Sequence, residues 1–151
     1  MKIEEAINQK NFRNEWQRAT INLLYTHNWV EHQVKGILKP YGITGQQFNV
    51  LRILRGQFPE PITTSVIRAR MLDKMSDVSR IVDRLRKKGL ADRKVCPMDK
   101  RLVDVLITEK GLDLLHHIDS QKDKFDIGQA SLTEAEAILL SNLLDKMRGN
   151  E

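Results

Sequence analysis

The sequence predicts a mainly α-helical protein with a small β-hairpin. Apolar residues recur every three or four positions through most of the 151 residues, which is typical of amphipathic helices. A period of two appears in one short segment, where Val103, Val105 and Ile107 alternate with other residues. Helix, turn, helix and hairpin follow one another between about residues 43 and 108. This order predicts a winged helix-turn-helix lobe, with further helices at about 10–38 and 112–147.

The first long helix is predicted over about residues 10–38, because this stretch contains no proline and its apolar residues keep a helical spacing. Pro40 and Gly42 end it. Thr44 and Gln47 then form a capping-box pattern, in which each side chain bonds the other residue's backbone amide. A second helix is therefore expected to begin near Thr44.

The helix-turn-helix itself is predicted between Thr63 and Gly89. Thr63 or Thr64 is expected to cap a short helix, and residues 71–75 form the turn. Ser76 is the expected N-cap of the following helix, and Gly89 is its stop. Four residues at helical spacing form the core stripe of this helix: Val78, Ile81, Val82 and Leu85.

A hairpin and two more helices complete the chain. Strands are predicted at 90–95 and 103–107, with Pro97 in the turn between them. Thr108 is expected to cap a helix that runs to about Phe125, and Thr133 with Glu136 repeats the capping-box pattern before a broadly apolar last helix. A terminal helix this apolar needs a cover, either the protein's own core or a second subunit.

Positive charge is concentrated in the predicted helix and hairpin. Residues 68–101 hold twelve Lys/Arg and five Asp, whereas the whole chain has a net charge of only +5. The rest of the chain is therefore slightly acidic. A protein surface that faces phosphates needs such an excess, because neutralising phosphates releases counterions and contributes much of the affinity. A solvated charged face is the other interpretation of a charge run.

The composition limits the class of protein and its cellular compartment. With 40% hydrophobic and 30% charged residues, the chain is expected to be one globular domain over residues 1–151. It has no apolar run near the roughly 18 residues of a membrane span, and no apolar segment of a signal peptide at its N-terminus. A single cysteine excludes an intramolecular disulfide. A cytoplasmic protein is expected.

Catalytic and metal-binding patterns are not recognisable in the sequence. His27 and His32 are five residues apart, and neither they nor the adjacent His116 and His117 match a zinc motif. We find no set of nucleophile and base, and no glycine-rich phosphate loop. The expectation is therefore no enzyme, no metal and no cofactor. Cys96 stands near cations that lower a thiol pKa, but an ordinary strand residue is the favoured interpretation.

Three segments together resemble the MarR family of winged-helix transcriptional regulators. The first is 43–51, ITGQQFNVL, which is similar to the family's helix that opens with Leu-Thr and carries a Gln before an aromatic residue. The second is 79–90, SRIVDRLRKKGL, similar to its recognition helix and exit. The third is 99–111, DKRLVDVLITEKG, similar to its wing signature of Asp-x-Arg closing on Thr-x-x-Gly. Their order and spacing extend the resemblance from about Glu15 to Met147.

The resemblance implies a homodimer that binds a pseudo-palindromic site in double-stranded DNA and regulates transcription, most simply as a repressor. The helices at about 10–38 and 112–147 would form the dimer, and each lobe over about 43–108 would bind one half-site. A small aromatic or phenolic effector that releases the DNA is the further implied partner. Trp16, Tyr25, His27 and Trp29 are candidates for its pocket, although aromatic residues at helical spacing are more often core or interface.

The resemblance also assigns DNA-contacting roles. Arg101 would reach the minor groove, where narrow A·T tracts concentrate negative potential, and Asp99 would orient it or brace the wing. Arg84 would meet phosphate. The full expected set is Ser76, Asp77, Ser79, Arg80, Arg84, Asp99, Lys100 and Arg101. Asp77 departs from the family's usual small hydroxyl residue; an aspartate accepts from a cytosine amine but is repelled by phosphate.

Two other functions are compatible with the same pattern. One is a winged-helix module that binds proteins. The other is a protein that binds small molecules and keeps a vestigial DNA lobe. Salt dependence distinguishes the first from a DNA-binding regulator, because only the latter neutralises several phosphates. Arg101→Ala distinguishes the second, because it should leave the function of a small-molecule-binding protein intact and weaken a DNA-binding regulator.

Overall fold

The computed structural model describes residues 1–95, 98–99 and 103–149, and it divides the chain into two compact units, Met1–Ser120 and Gln121–Glu151. The first unit holds helices α1 (Ile3–Ala6), α2 (Glu15–Leu38), α3 (Gly45–Gln57), α4 (Thr64–Arg70), α5 (Val78–Lys87) and α6 (Glu109–Asp119), with strands β1 (Ile62–Thr63), β2 (Ala91–Val95) and β3 (Val103–Ile107). The second holds α7 (Glu134–Arg148). The mainly helical fold with a small sheet is confirmed. Within the described ranges, no helix is long and apolar enough to cross a membrane.

The first long helix begins later than predicted. Asn14 caps α2, because its side-chain oxygen accepts a hydrogen bond from the Gln17 amide at 2.9 Å. The segment before Asn14 contains no proline, but the helix does not extend into it because the Asn14 cap starts the helix at Glu15. At the other end a short 3-10 turn, Lys39–Tyr41, carries Pro40 into Gly42, as the sequence predicted.

The threonine caps that the sequence predicts are present. Thr44 accepts from the Gln47 amide at 3.2 Å, and the Gln47 side chain accepts from the Thr44 amide in return. Thr63 caps α4 by accepting from the Val66 amide, and Thr108 caps α6 by accepting from the Gly111 amide, in both cases without the return bond. Each cap satisfies a backbone donor that the first helical turn leaves free, so these short polar side chains fix where the helices of the lobe begin.

Helix α5 has the predicted core stripe but a different N-cap. Val78, Ile81, Val82 and Leu85 are all buried. The prediction of Ser76 as N-cap is wrong: Asp77 occupies that position, and its carboxylate accepts from the Arg80 amide at 3.1 Å. Both residue types cap helices well, so sequence alone did not separate two neighbouring candidates. The helix stops as predicted at Gly89, which has a positive φ of 71°.

The sheet has one strand more than the sequence predicted. Its order is β1-β3-β2, and both pairings are antiparallel. The central strand β3 places Val105 opposite Ile62 on one side and opposite Arg93 on the other. Strand β1 is only two residues long, too short to show any alternation, and it is defined by its pairing with β3 rather than by its own sequence.

Gly111 allows α6 to lie against the hairpin. It is buried in the first turn of α6. A Cβ at this position would lie 2.4 Å from the Leu90 carbonyl oxygen and 2.7 Å from the Ile107 Cγ1. Only glycine permits this approach of the helix to the sheet. The glycine of the Thr-x-x-Gly pattern that follows β3 is therefore required by packing.

The last part of the chain differs from the prediction in one respect. Helix α6 ends at Asp119 instead of running to about Phe125, and residues 122–125 form a short 3-10 helix. The second capping box is confirmed in α7, where the Glu136 carboxylate accepts from the Thr133 amide and hydroxyl, both at 2.8 Å. The hydrogen bond from the Thr133 amide, and to a lesser extent the one from its hydroxyl, holds the pKa of Glu136 below its usual value.

Candidate nucleic-acid interface

The outward face of α5 carries a row of exposed polar and cationic side chains. Asp77, Ser79, Arg80 and Arg84 are exposed, on the side of the helix away from its core stripe. Arg80 and Arg84 are one turn apart and therefore on one face. Within the part of the chain that the structure describes, neither arginine has an ion-pair partner. Both guanidinium groups remain available to an anionic ligand.

Ser76 does not belong to this face. Its side chain is buried, and its hydroxyl donates to the Asp73 carboxylate at 3.1 Å and accepts from the Gln46 side-chain amide at 3.3 Å. The resemblance includes Ser76 among the expected DNA contacts, but its buried side chain is not presented on this face. Its role in this structure is to connect the start of α3 with the turn before α5.

The turn before α5 is held by side chains that the sequence analysis missed. Asp73 uses one carboxylate oxygen for the Ser76 hydroxyl and the other for the Met75 amide, at 2.9 Å. Asn49, on α3, accepts from the Leu72 amide at 3.0 Å. The only signal in the sequence is that Asp and Asn favour such local bonds, which does not identify a partner 23 residues away.

An ion pair connects the outward face of α5 with the hairpin. Arg93, on β2, donates to the Asp83 carboxylate at 3.0 Å, and Arg86 lies 3.7 Å from the same oxygen. Because these groups are partly exposed, the pair adds little to stability. It does restrain the first hairpin strand against the helix, so the two elements expected to contact DNA are connected directly.

The wing is only partly described. Asp99 is exposed, and so is its neighbour Met98. The predicted contact residues Lys100 and Arg101, and also Cys96, lie outside the described residues, so their roles remain predictions.

The aromatic residues of α2 are exposed rather than enclosed. Trp16 is 81% exposed, Trp29 and Tyr25 are roughly half as exposed, and Trp16 lines an open groove with Arg13 and Ile21. This arrangement does not form an enclosed ligand pocket within the first unit. Among the described residues, no group of three or more His, Cys, Asp or Glu is arranged to hold a metal ion.

The helix-turn-helix, the sheet beside it and the unpaired arginines define a winged-helix protein. Residues 41–102, which include the helix-turn-helix and strand β2 but not β3, match the model of the MarR family. Over these residues the chain is similar to the MarR family of transcriptional regulators.

The chain is also similar to individual regulators. The chain is 34% identical over 88 residues to the HTH-type transcriptional regulator MhqR of Bacillus subtilis (strain 168), covering 58% of this chain and 59% of MhqR. It is 29% identical over 128 residues to the HTH-type transcriptional repressor IacR of Pseudomonas putida, covering 84% of this chain and 72% of IacR. A mutant of MarR from E. coli, solved in complex with operator DNA, superposes with a TM-score of 0.79 at 26% identity, covering 91% of this chain and 99% of that one.

Proposed function

We propose that this protein represses transcription by binding a pseudo-palindromic site in double-stranded DNA as a homodimer. The observation that carries the proposal is the outward face of α5, where Arg80 and Arg84 are exposed and have no ion-pair partner among the described residues. Such a face suits the major groove, which admits an α-helix and is bordered by phosphates. Arg80 and Asp77 approach base edges, Ser79 lies beside them, and Arg84 meets phosphate.

The wing completes the proposed contact. Lys100 and Arg101 follow Asp99 in the loop between β2 and β3, and we assign Arg101 to the minor groove and Asp99 to bracing the wing. The ion pair of Asp83 with Arg93 supports a fixed spacing between helix and hairpin. A fixed spacing lets both elements contact one half-site without further ordering on binding.

A second copy of the chain is the proposed cover for exposed apolar residues on two helices. In the first unit, α2 exposes Trp16, Leu24, Tyr25 and Trp29 around its circumference. In the second unit, one face of α7 exposes Leu139, Leu140, Leu143 and Met147. Exposed apolar patches of this kind are usually interfaces. A two-fold dimer would also present two copies of α5 to successive turns of DNA.

Repression and release follow from the same dimer. IacR is named a repressor, and a protein bound across a promoter blocks polymerase without any chemistry, so no enzymatic activity and no cofactor is proposed. A cytoplasmic location is part of the same proposal. A small aromatic or phenolic effector would weaken DNA binding only if it bound more tightly to a dimer with a different spacing of the two α5 helices.

Selection of binding sites from random duplex DNA tests the proposal directly. We expect an inverted repeat whose half-sites lie about one helical turn, 10–10.5 base pairs, apart. We also expect the logarithm of affinity to fall linearly with the logarithm of salt concentration, by about 0.9 for each neutralised phosphate. Absence of duplex binding at low salt would refute the proposal and favour a module that binds proteins or small molecules.

Light scattering tests the dimer. The wild-type chain is expected at about twice the 17.5 kDa of one copy at micromolar concentration. Leu143→Glu places a charge in the exposed apolar face of α7 and is expected to give monomers. Ser141→Glu is the matched control, because position 141 lies about 160° around the same helix and the charge stays in solvent. A wild-type monomer, or equal dissociation of both variants, would contradict the proposed interface.

A further inference from the structure

Two large apolar side chains project from the turn between α4 and α5. Leu72 is 90% exposed and Met75 is 92% exposed, so both are almost entirely in water. The turn's other apolar residue, Met71, is buried, as its position against the core requires. Leu72 and Met75 therefore make no contribution to the core, and their exposure needs a different explanation.

The backbone that carries these side chains is held in place. The Leu72 amide donates to the Asn49 side chain at 3.0 Å, and the Met75 amide donates to the Asp73 carboxylate at 2.9 Å. Asp73 also accepts from the buried Ser76 hydroxyl, which is bonded to Gln46 on α3. The backbone amide of each exposed apolar residue is therefore held by a side-chain acceptor. A flexible surface turn would not need these bonds.

The surroundings of the turn carry positive charge. Residues 68–80 include four Lys/Arg and two Asp. Both aspartates are exposed and keep their negative charge, so the net charge of the segment is +2. This excess favours a partner that combines an anionic frame with small apolar spots inside it.

We infer that Leu72 and Met75 read thymine in the operator, each by contact with the C5-methyl group of a thymine in the major groove. This inference rests on the proposed function and specifies part of its sequence readout. Duplex DNA has an anionic backbone around the groove, and the thymine methyl is the one apolar group that a base pair displays there. Met75 directly precedes the buried Ser76 and the Asp77 cap of α5, and the proposed function places this end of the helix against the bases.

The chemistry of the two side chains suits this contact. Methionine is unbranched and polarizable, so it fits a methyl group whose position varies slightly between sites. Neither side chain offers a hydrogen bond, so cytosine in place of thymine would be rejected only through the lost apolar contact. We therefore expect a preference for thymine rather than an absolute requirement.

The test removes the methyl from the DNA and the apolar group from the protein, separately and together. In the selected operator, each thymine is replaced in turn by deoxyuridine, which pairs identically but lacks the C5-methyl. Wild-type protein is expected to lose affinity about fourfold per half-site at the contacted positions, as expected for one buried methyl-sized group. Met75→Gln and Leu72→Gln should each remove the loss at one position, whereas Met75→Leu should retain it.

Met98→Gln is the matched control, since Met98 is as exposed as Met75 but lies in the loop between β2 and β3. It should leave the deoxyuridine losses assigned to Leu72 and Met75 unchanged. If those losses persist in Met75→Gln and Leu72→Gln, or if no thymine is sensitive, the inference is wrong while the proposed function stands. If the wild-type protein binds no duplex at all, both are wrong.

Discussion

Gly111→Ala is expected to lower the free energy of unfolding by about 3 kcal/mol or more, the upper range for inserting atoms into a packed core. The new methyl group would lie 2.4 Å from the Leu90 carbonyl oxygen, which belongs to backbone and moves only if the hairpin moves. The Leu90 carbonyl also accepts from the Thr108 amide at 3.2 Å, so a shift would disturb the start of α6 as well. Urea or thermal denaturation measures the loss.

Gly56→Ala is the control for this prediction. Gly56 lies inside α3, and a Cβ there would have no neighbour within 4 Å. Since alanine forms helix better than glycine, a gain of about 0.5–1 kcal/mol is expected. Equal stability of the two variants would show that α6 adjusts to the added methyl, and the close packing of Gly111 would then not be a requirement of the fold.

Arg80→Ala is expected to weaken operator binding by about 1–3 kcal/mol per half-site and to relax the sequence preference there. The reason is that Arg80 is exposed in the first turn of α5, has no ion-pair partner among the described residues, and lies beside Asp77 at the end proposed to meet the bases. Fluorescence anisotropy with the selected site and with a scrambled site measures both effects. Stability should change little, because the removed side chain is exposed.

Arg86→Ala removes the same charge from the same helix and serves as the control. Arg86 lies about 120° around the helix from Arg80 and within reach of the Asp83 carboxylate, at 3.7 Å. It is expected to weaken binding only slightly and equally for both DNA sequences. If the two variants lost affinity equally, the overall positive charge of the lobe would account for DNA binding, and Arg80 would have no special role in recognition.

The sequence predicted most of the lobe, because the relevant signals are local. A threonine at the N-cap satisfies the backbone amide three positions later, whatever the rest of the chain does. Thr44, Thr108 and Thr133 all cap helices in this way, as predicted. The core stripe of α5 is equally local, since a helical period places Val78, Val82 and Leu85 on one side. The same period placed Arg80 and Arg84 on the other side.

The errors concern choices that neighbours in space decide. Ser76 and Asp77 are adjacent and both favour an N-cap; the serine hydroxyl is instead used by Asp73 and Gln46, and the aspartate becomes the cap. Strand β1 exists only because β3 offers an unpaired edge to Ile62 and Thr63. Neither outcome has a signature in the residues themselves, because a hydrogen bond to a distant segment leaves no period in the sequence.

By itself, the sequence determined the order of the lobe's elements, the position of its threonine caps, the concentration of positive charge in residues 68–101 and the resemblance to one family of regulators. These properties depend on spacing along the chain, which the sequence contains in full. Only the tertiary structure decided that Ser76 is buried, that Gly111 leaves no room for a side chain, and that Leu72 and Met75 are displayed on a fixed turn. Burial and close approach depend on which distant segments meet, and that is settled by packing.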